Sequence, residues 1–134
     1  MQDAGHDLVE RVILPDDFND LSEQIITWCD TGKADVVVTT GGTGLSIRDV
    51  MPEVTRSMID FEVPGMAEAM RSESLNLTKM SMISRSVVGV RGSTLIINLP
   101  GSTAGVRDNL VVVLPVIPHA AEVLQGRQSG RHPN

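Results

Sequence analysis

The chain has 134 residues, 41% of them hydrophobic, and this length and composition suit one globular domain with a real core. Its formal charge of −6 and aromatic content of 2% argue against nucleic-acid binding, which needs a basic face or aromatic stacking platforms. Cys29 has no partner for an internal disulfide, and we find no apolar run that could span a bilayer. We therefore expect a cytoplasmic protein that contacts neither nucleic acid nor membrane.

The chain begins with a predicted helix end, a strand and a helix. Met1 to Asp7 is typical of the last turn of a helix, with Gly5 as its C-cap. An apolar run ended by Pro-Asp-Asp predicts a strand over Leu8 to Leu14. Apolar residues at helical spacing then predict a helix over Phe18 to Cys29 with one face in the core.

The central stretch runs from a β-branched strand, Asp35 to Thr40, through Gly41-Gly42-Thr43-Gly44 to a helix over Pro52 to Asp60. Glycines remove the Cβ atoms that block a ligand, and they permit the positive φ angles that aim successive N–H groups at one point. The stretch is neither G-x-G-x-x-G nor a Walker A loop. We interpret it as a cradle for phosphate or carboxylate, although a βα turn without a ligand has the same signature.

Pro64-Gly65 is predicted to break the chain before a helix over Met66 to Ser74, and Met80 to Met82 alternates like a short extended segment. Two strands follow, Val87 to Arg91 and Ser93 to Leu99. Their junction at a single glycine favours an antiparallel hairpin.

Ser102 is placed to cap a helix that begins near Thr103. Pro115 and Pro118 should divide that helix, and Gly126 should end it. We therefore predict one domain over residues 1–126 and a disordered polar tail over 127–134. Alternating strands and helices indicate an α/β layer fold with a mostly parallel sheet.

Polar residues follow the predicted strands, and the carboxyl ends of parallel neighbours meet at one edge of a sheet. Asp16 and Asp49 would then face phosphate-binding backbone groups, and one or two carboxylates with phosphate oxygens are a usual Mg²⁺ ligand set. Structural roles are also open. Asp16 suits a helix N-cap, Asp49 an ion pair with Arg48, and Asn98 and Ser102 suit turns.

The ordered motifs of the chain resemble those of the molybdenum-cofactor biosynthesis family that includes molybdopterin adenylyltransferase. The similarity runs from about Gly5 to Gly126, and details near Trp28 and Arg91 are most similar to the G domain of gephyrin. The motifs are Pro15-Asp16, Thr39-Thr40-Gly41-Gly42-Thr43-Gly44, Arg48-Asp49-Val50, Pro52-Glu53-Val54-Thr55, Pro64-Gly65-Met66, Ser84-Arg85, Gly89-Val90-Arg91-Gly92 and Leu95-Ile96-Ile97-Asn98-Leu99-Pro100-Gly101-Ser102.

This resemblance implies a three-layer α/β/α fold and a nucleotidyltransferase that uses Mg²⁺ and ATP to adenylylate the terminal phosphate of molybdopterin. It gives Asp16 and Asp49 as the catalytic and metal-binding residues. A phosphate monoester is already a charged nucleophile near neutral pH, which agrees with a chain that offers no Ser-His-Asp arrangement. The substrate-binding positions that the resemblance implies are Thr39, Thr40, Gly41, Gly42, Thr43, Gly44, Arg48, Ser84, Arg85, Asn98, Pro100, Gly101 and Ser102.

The resemblance also implies a homotrimer, with a molybdenum-insertion domain or protein as a further partner. Family members begin with another strand and with the helix whose last turn corresponds to Met1 to Asp7. We therefore expect a sheet without its first strand, unpaired backbone groups in the open slot, and impaired activity. Met51 stands where the family usually has Thr.

Two other interpretations stay open. The chain could be a non-catalytic module that binds the pterin or scaffolds its own trimer. It could also catalyse another nucleotide-related reaction on the same fold, as in the competence-damage-inducible proteins, an alternative that the loop from Asn98 to Ser102 disfavours.

Overall fold

The computed structural model describes residues 5–128, with side chains described through Arg127. Five helices, four strands and two short 3-10 turns make up this part of the chain. In order they are α1 Phe18–Asp30, β1 Val36–Thr40, α2 Met51–Met58, β2 Phe61–Glu62, α3 Pro64–Leu75, a 3-10 turn Lys79–Ile83, β3 Val88–Arg91, β4 Thr94–Leu99, α4 Thr103–Val113, a 3-10 turn Leu114–Val116 and α5 Ile117–Gln128.

The four strands form one mixed sheet in the order β1-β4-β3-β2. Strand β1 runs parallel to β4, so that Thr40 lies opposite Leu99 at the shared carboxyl ends. The predicted hairpin of β3 and β4 is confirmed, and Gly92 takes a φ of 61° in its turn. Strand β2 pairs antiparallel with β3. One parallel and two antiparallel pairings make the sheet mixed instead of mostly parallel, because the tight turn at Gly92 returns the chain beside β3. The parallel pair sets the edge at which the glycine loop emerges.

Helices cover both faces of the sheet, which confirms the predicted α/β class and the three layers. On β4, Leu95 and Ile97 belong to the core beneath α3, α4 and α5, whereas Ile96 belongs to the core beneath α1 and α2. Alternate residues of a strand point to opposite faces, so β4 lies between two cores. Complete burial of a Leu or Ile side chain stabilises a fold by roughly 1.5–3 kcal/mol.

The predicted strand over Leu8 to Leu14 is wrong, because no strand is formed by these residues in the structure. Most of their apolar side chains are exposed, with Ile13 at 95%, and Leu14 is partly buried. A strand exists only where a neighbour accepts its backbone hydrogen bonds. Within residues 5–128, β1 pairs with β4 alone, and the 8–14 segment does not join its other edge.

Three local predictions are also corrected. Pro64 begins α3 instead of breaking the chain, since proline is favoured in a first helical turn. Met80 to Met82 lies in a 3-10 turn whose Thr78 hydroxyl accepts from the Met80 N–H. Helix α5 continues through Gly126 to Gln128, so residues 127 and 128 of the predicted tail are helical.

The remaining terminal predictions concern residues 1–4 and 129–134, which lie outside the described part of the chain. The helix proposed before Gly5 and the rest of the polar tail therefore stay predictions. Gly5 itself has a φ of 85°, the left-handed conformation that a helix C-cap favours.

One helical run of the described residues, Thr103–Arg127, is long and apolar enough to cross a membrane by length and composition. The prediction that no run is long enough is therefore wrong. The run is divided at the 3-10 turn Leu114–Val116, as its prolines predict. Val113, Ile117 and Leu124 are buried in the core, and core helices of globular domains pass the same test.

Candidate functional site

The glycine loop follows β1 directly and turns the chain towards α2. Gly41 and Gly42 have φ angles of 87° and 72°, a conformation that glycine adopts without strain. The Gly41 N–H donates to the Leu99 carbonyl at 2.9 Å, and the Gly42 carbonyl accepts from the Met51 N–H at 3.1 Å. The loop is therefore fixed at one end to β4 and at the other to the first residue of α2.

A second loop, which follows β4, touches the glycine loop. A Cβ atom added at Gly101 would lie 3.3 Å from the Gly41 Cα, a distance tighter than most such contacts. The two backbones approach this closely because both residues are glycine. The structure thus brings together the loops after β1 and β4, as the sequence predicts for parallel neighbours.

Two carboxylates flank the glycine loop. Asp16 Oδ1 would lie 3.8 Å from a Cβ added at Gly42, and Asp49 Oδ2 would lie 2.9 Å from a Cβ added at Gly44. The N-cap of α1 is Asp17, whose side chain accepts from the Asp20 N–H. The alternative that Asp16 caps this helix is therefore wrong, and its side chain lies at the loop instead.

The metal-binding capacity of this site rests on Asp16 and Asp49. Within residues 5–128, no group of three or more His, Cys, Asp or Glu side chains is placed to hold a metal ion. A pair of carboxylates offers only oxygen ligands, which fits Mg²⁺ when phosphate oxygens complete the coordination. That role for the two aspartates stays a prediction.

Three successive backbone N–H groups of the loop have no hydrogen-bond partner among the described residues. The N–H groups of Gly42, Thr43 and Gly44 donate to no other described residue, although the carbonyls of all three accept hydrogen bonds. Successive unpaired N–H groups in a turn of this kind form anion-binding concavities. The loop can therefore supply donors to phosphate oxygens.

Arg85 joins this loop to α2 from the side. Its backbone N–H donates to the Thr43 carbonyl at 2.8 Å, and its Nε donates to the Gly44 carbonyl at 2.7 Å. Nη2 donates to the Asp49 carbonyl at 2.8 Å, and Nη1 donates to Glu53 Oε2 at 2.6 Å. Sequence reasoning missed Glu53 as a member of the site, since only the fold brings Arg85 to it.

Asn98, predicted to bind substrate, lies beneath the site with 0% exposure. Its Nδ2 donates to the hydroxyls of Thr39 and Thr55 at 3.0 Å each, and its Oδ1 accepts from the Val87 N–H at 3.1 Å. These bonds link β1, β4, α2 and the segment before β3. In this structure the Asn98 side chain is bound to protein groups within the core beneath the loops, and its predicted contact with substrate stays a prediction.

The other predicted positions lie around the same loops, and several have protein partners. Ser102 caps α4 by accepting from the Gly105 N–H at 3.0 Å. The Ser84 hydroxyl donates to the Ser86 hydroxyl at 3.2 Å. Arg48 is exposed, and no ion pair joins it to Asp49 within the described residues. Thr40 and Pro100 directly precede the glycines of the two touching loops.

The Arg85 hydrogen bond lowers the pKa of Glu53 below its usual 4.5. A carboxyl whose pKa is lower in the folded state stabilises the fold above its unfolded pKa, and this contribution is lost as pH falls through the lowered value. We expect a carboxyl ¹³C NMR titration of Glu53 to have its midpoint below 4.5 and to move towards 4.5 in Arg85→Met. The matched variant Arg107→Met should leave the midpoint in place, and equal midpoints in all three proteins would contradict the pairing.

The sequence of the chain is similar to those of proteins of one family. Residues 1–119 match the family described as "Probable molybdopterin binding domain". The chain is 39% identical over 114 residues to the molybdopterin adenylyltransferase of Helicobacter pylori, covering 85% of this chain and 65% of that protein. It is 39% identical over 121 residues to gephyrin of Dictyostelium discoideum, covering 90% of this chain and 17% of gephyrin.

Among solved structures, the molybdopterin biosynthesis enzyme MoaB of Thermus thermophilus superposes with a TM-score of 0.78. The two chains are 49% identical, and the match covers 84% of this chain and 70% of MoaB. The sequence family, the curated relatives and the solved structure all indicate the same family. The chain spans less than two thirds of the length of the two curated relatives. The chain belongs to the molybdopterin-binding domain family.

Proposed function

We propose that this protein transfers an adenylyl group from ATP to the terminal phosphate of molybdopterin, within molybdenum cofactor biosynthesis. The observation that carries the proposal is the placement of Asp16 beside Gly42 and of Asp49 beside Gly44, in a loop whose N–H groups have no partner among the described residues. The names of the relatives supply the substrate. The arrangement supports the proposal, because a cation held by two carboxylates and a set of N–H donors would bring two anions together.

In the proposed reaction, an oxygen of the molybdopterin phosphate attacks the α-phosphorus of ATP. The bond from that phosphorus to the bridging oxygen breaks, and pyrophosphate leaves with the electron pair. Asp16 and Asp49 would hold Mg²⁺, which neutralises charge on the phosphates when bound. The loop N–H groups bind phosphate oxygens, and no side chain needs to remove a proton from a phosphate that is already ionised.

A trimer is the oligomeric state that we propose, and an exposed apolar surface supports it. Leu77, Met80 and Met82 are 66–67% exposed at and just before the 3-10 turn after α3. Exposed apolar side chains close together in the chain are compatible with an interface between copies of the protein. We also propose a cytoplasmic location, which suits a cysteine without a disulfide partner, Cys29. We further propose a molybdenum-insertion domain or protein as a partner, because the match covers only 17% of the gephyrin relative and leaves room in it for further domains.

The test is pyrophosphate release by the purified protein with molybdopterin, ATP and Mg²⁺, alongside direct measurement of molybdopterin binding. We expect release to require all three reactants and to stop when EDTA removes the cation. Molybdopterin binding without pyrophosphate release at every Mg²⁺ concentration tested would support the alternative of a non-catalytic pterin-binding module. Absence of both would overturn the proposal.

A further inference from the structure

Arg85 contacts two parts of the glycine loop and the first turn of α2, although it lies outside both elements in sequence. We propose that Arg85 is the positioning residue of this site: it fixes the glycine loop and Asp49 in the arrangement that substrates meet, and it does not bind substrate itself. The inference rests on the proposed function for its kinetic consequences. Its structural consequence can be measured without the reaction.

The hydrogen-bonding capacity of Arg85 is directed into the protein. Its Nε, Nη1 and Nη2 donate to the Gly44 carbonyl, Glu53 Oε2 and the Asp49 carbonyl at 2.6–2.8 Å. The ion pair leaves the Arg85 side chain 32% exposed. An arginine that bound a substrate phosphate would direct its planar fork of donors at the ligand. Here all three guanidinium nitrogens donate to protein oxygens, and Nη2 donates to two of them.

The carbonyls that Arg85 holds determine where the loop N–H groups point. In a trans peptide, the carbonyl of one residue and the N–H of the next lie in one plane and point in opposite directions. The bonds to the Thr43 and Gly44 carbonyls therefore turn the N–H groups of Gly44 and Leu45 away from Arg85. The backbone N–H of Arg85 orients the Gly44 N–H through the Thr43 carbonyl, and the guanidinium orients the Leu45 N–H through the Gly44 carbonyl.

Asp49 is held by hydrogen bonds to Arg85 and to Ser46. Its carbonyl accepts from Arg85, and its backbone N–H donates to the Ser46 carbonyl at 2.9 Å. Its Oδ2 accepts from the Ser46 N–H, also at 2.9 Å. These three bonds fix both the backbone and the carboxylate of Asp49. Loss of the Arg85 bond would release one end of this arrangement, and small displacements of reacting groups reduce rates strongly.

The experiment combines kinetics with amide hydrogen exchange on full-length Arg85→Met and Arg85→Lys. We expect kcat to fall about 10–100-fold, as for other groups that orient a metal ligand, with KM for molybdopterin and ATP within about 3-fold of wild type. The Mg²⁺ concentration for half-maximal rate should rise. Hydrogen exchange at the Ser46 and Asp49 amides should become faster. Arg85→Lys should restore little of the lost rate, because lysine carries a single point charge and cannot make all three contacts.

Two further variants separate this role from a general loss of stability. Glu53→Gln should give a smaller effect in the same direction, and no added effect when Arg85 is already Met, because Glu53 acts through Arg85. Arg56→Met removes a different arginine, on α2, that is also paired with a glutamate, at 2.8 Å from Glu62, and it should leave kcat and loop exchange unchanged.

A rise in KM for either substrate, with loop exchange and kcat as in wild type, would overturn the proposal and make Arg85 a substrate ligand. Unchanged exchange at Ser46 and Asp49 in Arg85→Met would overturn it as well. If the wild-type protein releases no pyrophosphate, the proposed function fails, whereas faster exchange in Arg85→Met would still support the positioning role.

Discussion

Replacing Asp49 by asparagine should lower the rate of pyrophosphate release by about 10²–10³-fold, the loss typical of removing one preorganised electrostatic group. Asparagine keeps the size of the side chain, and its amide oxygen can still accept from the Ser46 N–H, which now lies 2.9 Å from Oδ2. The loop should therefore stay in place. What is lost is the negative charge beside Gly44 that would hold the cation against the phosphates.

The measurement is initial rate of pyrophosphate release across a range of Mg²⁺ concentrations, with thermal unfolding as a check on folding. Asp16→Asn should behave in the same way, since its Oδ1 lies beside Gly42 of the same loop. The control is Glu68→Gln, which also removes one charge but lies exposed on α3. Rates within about 3-fold of wild type in both aspartate variants would remove these carboxylates from the mechanism.

The elements that sequence reasoning predicted correctly are those whose signals are local. The Phe18 to Cys29 helix carries its own apolar stripe, and the Ser102 cap sits immediately before the helix that it begins. The hairpin is set by the glycine at position 92, whose positive φ the turn uses. Each of these features depends on residues within a few positions, so the sequence contains the whole cause.

The elements that failed depend on distant partners. The apolar run Leu8 to Leu14 has strand composition, yet it forms no strand in the structure because no neighbour accepts its backbone hydrogen bonds. Met80 and Met82 alternate with polar residues as in a strand, but the Ser81 hydroxyl donates to the Arg71 carbonyl and holds this segment against α3. Tertiary contacts decided both cases.

The site divides in the same way. The convergence of the loops after β1 and β4 follows from their parallel pairing, and the sequence predicts it from the rule that ligands collect at the carboxyl ends of strands. Which of the polar residues bond to protein groups could not be predicted from the sequence. Asn98 and Arg85 match family motifs as well as Asp49 does, but their hydrogen bonds are directed to protein atoms that only the fold brings near.

Replacing Asn98 by alanine should destabilise the fold by about 3 kcal/mol or more, the largest stability effect that we expect from one substitution at this site. The Val87 N–H would lose its acceptor, and the hydroxyls of Thr39 and Thr55 would lose a donor. Each buried polar group left without a partner costs about 1–3 kcal/mol. Since Asn98 has 0% exposure, water cannot replace these bonds without opening the core.

Urea unfolding of Asn98→Ala tests this expectation, with Asn19→Ala as the matched control because Asn19 is exposed on α1. Thr55→Val removes one of the bonds and should cost about 1 kcal/mol. If Asn98→Ala and Asn19→Ala unfold at the same urea concentration, the buried network contributes no net stability. A large loss in Asn98→Ala alone would mean that the position of the two loops depends on this buried amide, since Asn98 connects α2 to β4, the strand from which the second loop emerges.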